Sequence, residues 1–316
     1  MFEYIRAFNN RFAVTAASNG ELKTLDAAAL PAGEAMRIGF HSVNGSDAIE
    51  HIVDFQRPPV VEVALGVQFA HPVVTLDVLS ALVVRWREEY PFNEPQEPLP
   101  RVVETFDRPI GGPTLELRLG ASWPRTWLLS ADQSRLIQLQ PDRVIVNWRR
   151  VEEGDEYPRY ATLRPWLLTV LREVLAVATE YGGPPAPIDA VEVTYVNELA
   201  SPQTAEVGSH PALERMVLPV GAVDGTFLPD PEDTGYAARF RIDEGDGPVG
   251  RLVVRTDIGF RNRDGAPIYL MNLTANIVRP ARDAQGVPAA LDLARRWVVK
   301  GFLDLTTKEM HEKWDA

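Results

Sequence analysis

Four runs of the chain put polar side chains at every second position: RVIVNWRR (143–150), YAARFRID (236–243), GRLVVRTDIGF (250–260) and IYLMNLTANIVR (268–279). Successive side chains of a strand point to opposite faces. Asn147 and Arg149 therefore oppose Val146 and Trp148, and Arg239, Arg241 and Asp243 oppose Phe240 and Ile242. Arg255 and Asp257 alternate with Val254, Thr256 and Ile258, while Asn272, Thr274 and Asn276 alternate with Met271, Leu273, Ala275 and Ile277. The run TLELRLG (114–120) adds Glu116 and Arg118 against Leu115, Leu117 and Leu119. Across these faces five arginines stand against three acids, Glu116, Asp243 and Asp257. Guanidinium forks and amides bind and orient; they do not by themselves make or break bonds. The candidate binding face thus comprises Arg118, Asn147, Arg149, Arg239, Arg241, Arg255, Asp257 and Asn272. Such a face is ordinarily the wet side of an antiparallel sheet; the sharper expectation is a platform for an anionic ligand, an acidic protein partner or nucleic acid.

Bond-making chemistry finds little support. The five histidines, His41, His51, His71, His210 and His311, have no second His, Asp or Glu at a strong metal spacing. In KEMHEKW the ligand types are present, but a helical zinc pair needs them one turn apart. The acids Glu152, Glu153, Asp155 and Glu156 lack the alternating ligand pattern of a calcium loop. There is no Walker loop, no Gly-x-Gly-x-x-Gly and no Gly-x-Ser-x-Gly elbow. With no cysteine, disulfides, thiolate metal sites and cysteine nucleophiles are excluded. No catalytic residue, cofactor or metal is expected.

Composition bounds the partners. The chain has 316 residues, 45% apolar and 24% charged, and a formal net charge of −12. That charge disfavours broad attraction to nucleic acid or anionic membrane. The start has no apolar stretch of signal-peptide length, and no window approaches 18 uninterrupted apolar residues. A cytoplasmic protein without membrane contact is expected.

The elements that must hold the face follow from period and punctuation. PPVVEVALGVQF predicts a strand over 60–69, followed by a helix with Thr75 as N-cap and Leu76, Leu79, Val83 and Trp86 on its core side. YPFNEPQEPLPR, with prolines at 91, 95, 98 and 100, predicts an extended loop. RTWLLSA, RLIQLQ and RVIVNWRR form a meander with hairpin-length breaks. A long helix over 162–181 ends at Gly182-Gly183. The second half replays this order: APIDAVEVTYVNELA gives a strand over 190–199, three strands follow, and a final helix begins at Pro288. Thr306 and Glu309 have the spacing of a capping box for one last short helix. Val-Glu-Val occurs at the centre of both opening strands. The expected fold is α+β, with two tandem antiparallel-sheet units each gripping a long C-terminal helix, a helix-grip or TATA-binding-protein-like duplication. Residues 1–57 form an N-terminal extension, 58–183 the first unit and 184–316 the second.

PPVVEVALGVQF, SRLIQLQPDRVIVNWRR with YPRYATLRPWL, and LDLARRWVVKGFLDLTTKEMHEKW resemble a prokaryotic family with a sporadic distribution among bacteria. The resemblance spans about 58–314, and Leu-Gln-Pro-Asp-Arg with Asn-Trp-Arg is its most specific part. It implies no assigned catalytic residues, cofactor or substrate, and its patchy distribution implies accessory or defence-type loci. The functional expectation is a non-catalytic binding protein for a protein partner or small ligand. The alternatives are a nucleic-acid platform on the polar face, or an enzyme with a site that spacing does not reveal. Oligomeric state is left open by the sequence.

Overall fold

The structure, a computed structural model, describes residues 55–106, 124–200, 216–217, 235–245, 247–261, 264–278 and 284–314. The fold is α+β, built on a large antiparallel sheet with few helices. The strands are β1 (Val60–Phe69), β2 (Phe92–Gln96), β3 (Arg125–Leu129), β4 (Arg135–Gln140), β5 (Arg143–Arg149), β6 (Ile188–Leu199), β7 (Ala237–Glu244), β8 (Gly247–Phe260) and β9 (Pro267–Ile277). The helices are α1 (Leu76–Trp86), α2 (Tyr160–Glu180), α3 (Val287–Leu305) and α4 (Lys308–Lys313). All nine strands form one sheet in the order β2-β3-β4-β5-β1-β6-β9-β8-β7. The two strands carrying Val-Glu-Val, β1 and β6, are neighbours at its centre, with Ala64 opposite Thr194.

One face of the sheet carries the helices. Helix α2 lies against β5 and β1, and α3 against β6, β9 and β8. Between them sits the main core: Val63, Leu65 and Val67 of β1, Val144 and Val146 of β5, Val191 and Val193 of β6, and Met271, Leu273 and Ala275 of β9. Trp148 joins this core as its phase with Val144 and Val146 predicts. Asp292 of α3 fixes the two long helices to each other, accepting from Tyr160 Oη at 2.8 Å and meeting Arg164 Nε at 3.0 Å.

Local signals account for most boundaries. Thr75 Oγ1 accepts from Val78 N and starts α1. At the end of α2, Gly182 N donates to Thr179 O and Gly183 N to Ala178 O at 2.8 Å, with Gly182 at φ +73°. These paired bonds satisfy the last carbonyls of the helix, and a left-handed residue there favours glycine.

Four expectations differ. Helix α1 buries Val78, Leu82 and Trp86 and packs Leu79 and Val83 beside them, so of the expected core side only Leu76, 58% exposed, turns away. Residues 92–96 form edge strand β2 rather than loop; Pro95 is tolerated because an edge strand need not donate on both sides. The N-cap of α4 is Thr307, whose Oγ1 accepts from Met310 N, whereas Thr306 Oγ1 donates to Phe302 O and also bonds His311 Nε2. The helix therefore starts one residue late for a Thr306–Glu309 box. Finally Phe55, inside the segment read as an extension, is buried against Trp314 and Phe302 at ring-centroid distances of 5.4 and 6.2 Å. The strand read over 114–120 lies outside the described residues.

Candidate binding face

Register sorts the polar residues. Residues opposite each other in an antiparallel pair share a face. Arg255, Asn272, Val196, Glu62 and Arg149 form one continuous row across β8, β9, β6, β1 and β5. A second row links Arg241, Arg251, Asn276, Glu192 and Gly66. Arg239 stands opposite Val253, Asp257 opposite Leu270, and Asn147 opposite Ala64, all on the side away from the helices. Seven of the eight candidate residues thus lie on the face turned away from the described helices, and Arg118 lies outside the described residues.

The face is not uniformly wet, as expected from alternation alone. Arg239, Arg241 and Arg255 are exposed, but Asn147, Arg149 and Asn272 are buried. Leu129, Leu136, Ile145 and Trp127 are also buried on this side, apart from the main core. In the first half the polar groups form a relay. Arg125 Nη1 (2.6 Å) and Trp127 Nε1 (3.1 Å) both donate to Gln138 Oε1. Gln138 Nε2 donates to Asn147 Oδ1 at 2.7 Å, and Asn147 Nδ2 to Glu62 Oε1 at 2.6 Å. Burial raises the Glu62 carboxyl above its ordinary value; the bond from Asn147 and the charges of Arg149 and Arg125 oppose that shift without cancelling it. Burial likewise brings the Arg125 guanidinium down to about 10, with Arg143 pushing the same way and Glu62 against it.

A strap, residues 97–106, crosses this face. Gln140 holds Leu99 by both main-chain groups: Leu99 N donates to its Oε1 at 3.0 Å and its Nε2 donates to Leu99 O at 3.2 Å. Gln68 holds Val102 in the same way, at 2.8 and 3.0 Å. Arg101 meets Asp142 at 3.0 Å and Asp189 at 2.7 Å, and donates to Phe69 O at 2.8 Å. Farther along, Glu104 meets Arg251 Nε at 2.6 Å, and Arg251 stacks over Phe106.

In the second half the strap reaches Arg251, directly opposite Asn276, but among the described residues no strap residue bonds the amides of β9. Asn272 and Asn276 are 8% and 7% exposed, and Asn272 Nδ2, Asn272 Oδ1 and Asn276 Oδ1 have no hydrogen-bond partner among the described residues. Between them the Thr274 and Thr194 hydroxyls bond each other at 2.9 Å. The residues that tie the face together, Glu62, Gln68, Arg125, Gln138 and Gln140, were not among the sequence candidates. The same period of two that exposed Asn147 could have found them, since Glu62 and Gln68 alternate with Val63, Leu65 and Val67.

Among the described residues no three His, Asp or Glu gather closely enough to hold a metal ion. A shallow groove of ≈ 390 Å³ opens beside β2, lined by Phe92, Glu94, Leu129 and Gln133. No helix among the described residues is long and apolar enough to cross a membrane. No family model matches the chain, and no curated protein shows significant similarity to it.

Proposed function

We propose that this chain is a non-catalytic binding protein that engages a protein partner through the sheet face turned away from its described helices. The observation that carries the reading is the row Arg255, Asn272, Val196, Glu62 and Arg149, which gathers charged and amide groups from four strands, with Val196 of β6 among them, onto one face. The opposite face is filled by helices and apolar core, so a ligand read by polar groups has this side available. Accessory or defence-type roles, which the family resemblance implies, are compatible with such an adaptor.

We further infer that the two halves are copies of one unit. The strand orders β1-β5-β4-β3 and β6-β9-β8-β7 support this, as do Glu62 and Glu192, each two residues from the central pair Ala64–Thr194. Each half closes with a long helix on the same face.

Reversal of Arg239, Arg241 and Arg255 to Glu tests the binding reading. Capture of a partner is expected to be lost while stability changes by only about 0.5 kcal/mol per substitution, as for exposed surface positions. A triple variant that binds as the parent does would return the face to an ordinary wet surface. A second reading, nucleic acid, is favoured by those same exposed arginines and opposed by the charge of −12. It requires binding that weakens steeply with salt, because released counterions drive it; a protein partner would show a shallow response.

A further inference from the structure

The two rims of the sheet differ. At one rim β2 carries Pro95 inside its ladder, opposite Thr126. Proline has no N–H, so its nitrogen faces outward and leaves that rim a donor short. At the other rim β7 has eight residues and no proline. Thr256 N donates to Tyr236 O at 2.8 Å, which sets the phase of the ladder between β7 and β8. Ala238, Phe240 and Ile242 then turn their main-chain groups inward, while Ala237, Arg239, Arg241 and Asp243 turn theirs outward. Pro248, opposite Asp243, agrees with this phase, since no N–H is required of it there. Among the described residues no strand lies beyond β7. The rim is also open: Arg239, Phe240 and Glu244 are exposed, and the Arg241 and Asp243 side chains are 58% and 49% exposed. A row of outward main-chain groups on an exposed strand is a template for a further strand.

The side chains of β7 say which strand fits. We propose that β7 pairs antiparallel with β7 of a second copy of this chain, about a two-fold axis that passes through Arg241 normal to the sheet. The helices of both copies then stay on one side, and two nine-stranded sheets become one. In this register Arg239 stands opposite Asp243 of the second copy, and symmetry makes the pair twice. On the helical side Phe240, 36% exposed, meets Ile242 of the second copy at a closely spaced pair. The two Arg241 side chains face each other across the axis, and each keeps its own Asp243 at 3.0 Å. Residues 239, 241 and 243 of each copy exchange about six main-chain hydrogen bonds. Centring the axis on Phe240 would set Arg239 against Arg241, and centring it on Ile242 would confine the overlap to 240–244. Charge and length together select Arg241. The inference concerns the rim of the sheet and does not need its face to bind a partner.

Sedimentation velocity on the full chain, over a range of concentrations, reads the association. The parent is expected to dimerise. Arg239→Asp sets like charges opposite each other twice and should weaken the dimer about tenfold. Arg239→Asp/Asp243→Arg restores both pairs and should return the affinity to that of the parent. Arg241→Pro, which blocks an outward N–H as Pro95 does on β2, should give a monomer that unfolds like the parent. The chain has no cysteine, so Arg241→Cys supplies one thiol per copy. Residues directly opposite lie about 5.5 Å apart, within disulfide reach, and oxidised glutathione should give a covalent dimer. Arg239→Cys should give none, because its two copies are offset by about 13 Å along the strands. The proposal is overturned if the parent stays monomeric at every concentration, if the charge swap fails to rescue Arg239→Asp, or if Arg239→Cys cross-links as readily as Arg241→Cys. Should Arg241→Pro fail to fold, the swap and the cross-linking pair decide alone. A monomeric parent that captures a strand of another protein along β7 would overturn the second copy as its occupant.

Discussion

Replacing Asn147 and Asn272 separately by Leu compares a paired amide with an unpaired one at matched burial. Asn147 is 3% exposed, accepts from Gln138 and donates to Glu62. Asn147→Leu removes two hydrogen bonds and leaves Gln138 Nε2 and Glu62 Oε1 without those partners. At roughly 1–3 kcal/mol for each stranded group, the loss should be about 2–6 kcal/mol, nearer the lower end because Glu62 is only half-buried. Asn272→Leu removes no bond, because both of its amide polar atoms are unpartnered. It relieves a buried amide and adds apolar contact, so its effect should lie between zero and a gain of about 1 kcal/mol. The size change is the same in both variants, so the difference isolates hydrogen bonding. Urea unfolding followed by tryptophan fluorescence reads it, with Trp127 and Trp148 close to the relay. The reasoning is refuted if Asn272→Leu is as destabilising as Asn147→Leu, since Asn272 would then be bonded. It is equally refuted if Asn147→Leu is neutral, because the relay would then carry no energy.

Three further outcomes can be checked independently. Because burial raises the folded-state Glu62 carboxyl above its ordinary 4.5, its stabilising contribution is complete below that value and lost as pH rises through the folded value; Glu62→Gln, which keeps an acceptor for Asn147, should therefore melt higher than the parent at pH 7, with the gap closing by pH 4. Phe55→Ala, which empties the space against Phe302, His311 and Trp314, should cost about 3–5 kcal/mol in thermal or chemical unfolding, and a loss under 1 kcal/mol would show that the ring is dispensable. Gln68→Leu/Gln140→Leu removes four of the bonds that clamp the strap, so trypsin cleavage after Arg101 should accelerate roughly a hundredfold, the equivalent of two to three such bonds in the local opening equilibrium; unchanged cleavage would mean that Arg101, Arg143 on Pro100 O and Arg251 on Glu104 hold the strap without the two glutamines.

Why some of this was legible in the sequence and some was not follows from the range of the interactions. The bounds of β1 and β4 coincide with the runs that announce them, because alternation and flanking turns are local signals. The helix-free orientation of Asn147, Arg149, Arg255 and Asn272 was legible for the same reason, since a period of two needs no partner strand. Edge strand β2 was hidden by Pro95, which reads as a breaker unless the neighbour on one side is known to be missing. In α1 Leu76 was misread because it fits the same helical period as Leu79 and Val83, and period alone does not show that the first turn's Leu76 lies beyond the core while Val78 is buried. Burial of the candidate residues was beyond any local signal. The seat of the strap was equally hidden, since it has Gln140, Gln68 and Arg101 meeting their partners across 41, 34 and 88 residues of chain. The same non-local step separates Asn147 from Asn272. Both are strand asparagines opposite an apolar core, indistinguishable by type or phase, yet one has Glu62 and Gln138 beside it and the other has Val196 and Arg255. Whether a buried amide is already paired is thus written in register between strands and not in either strand alone.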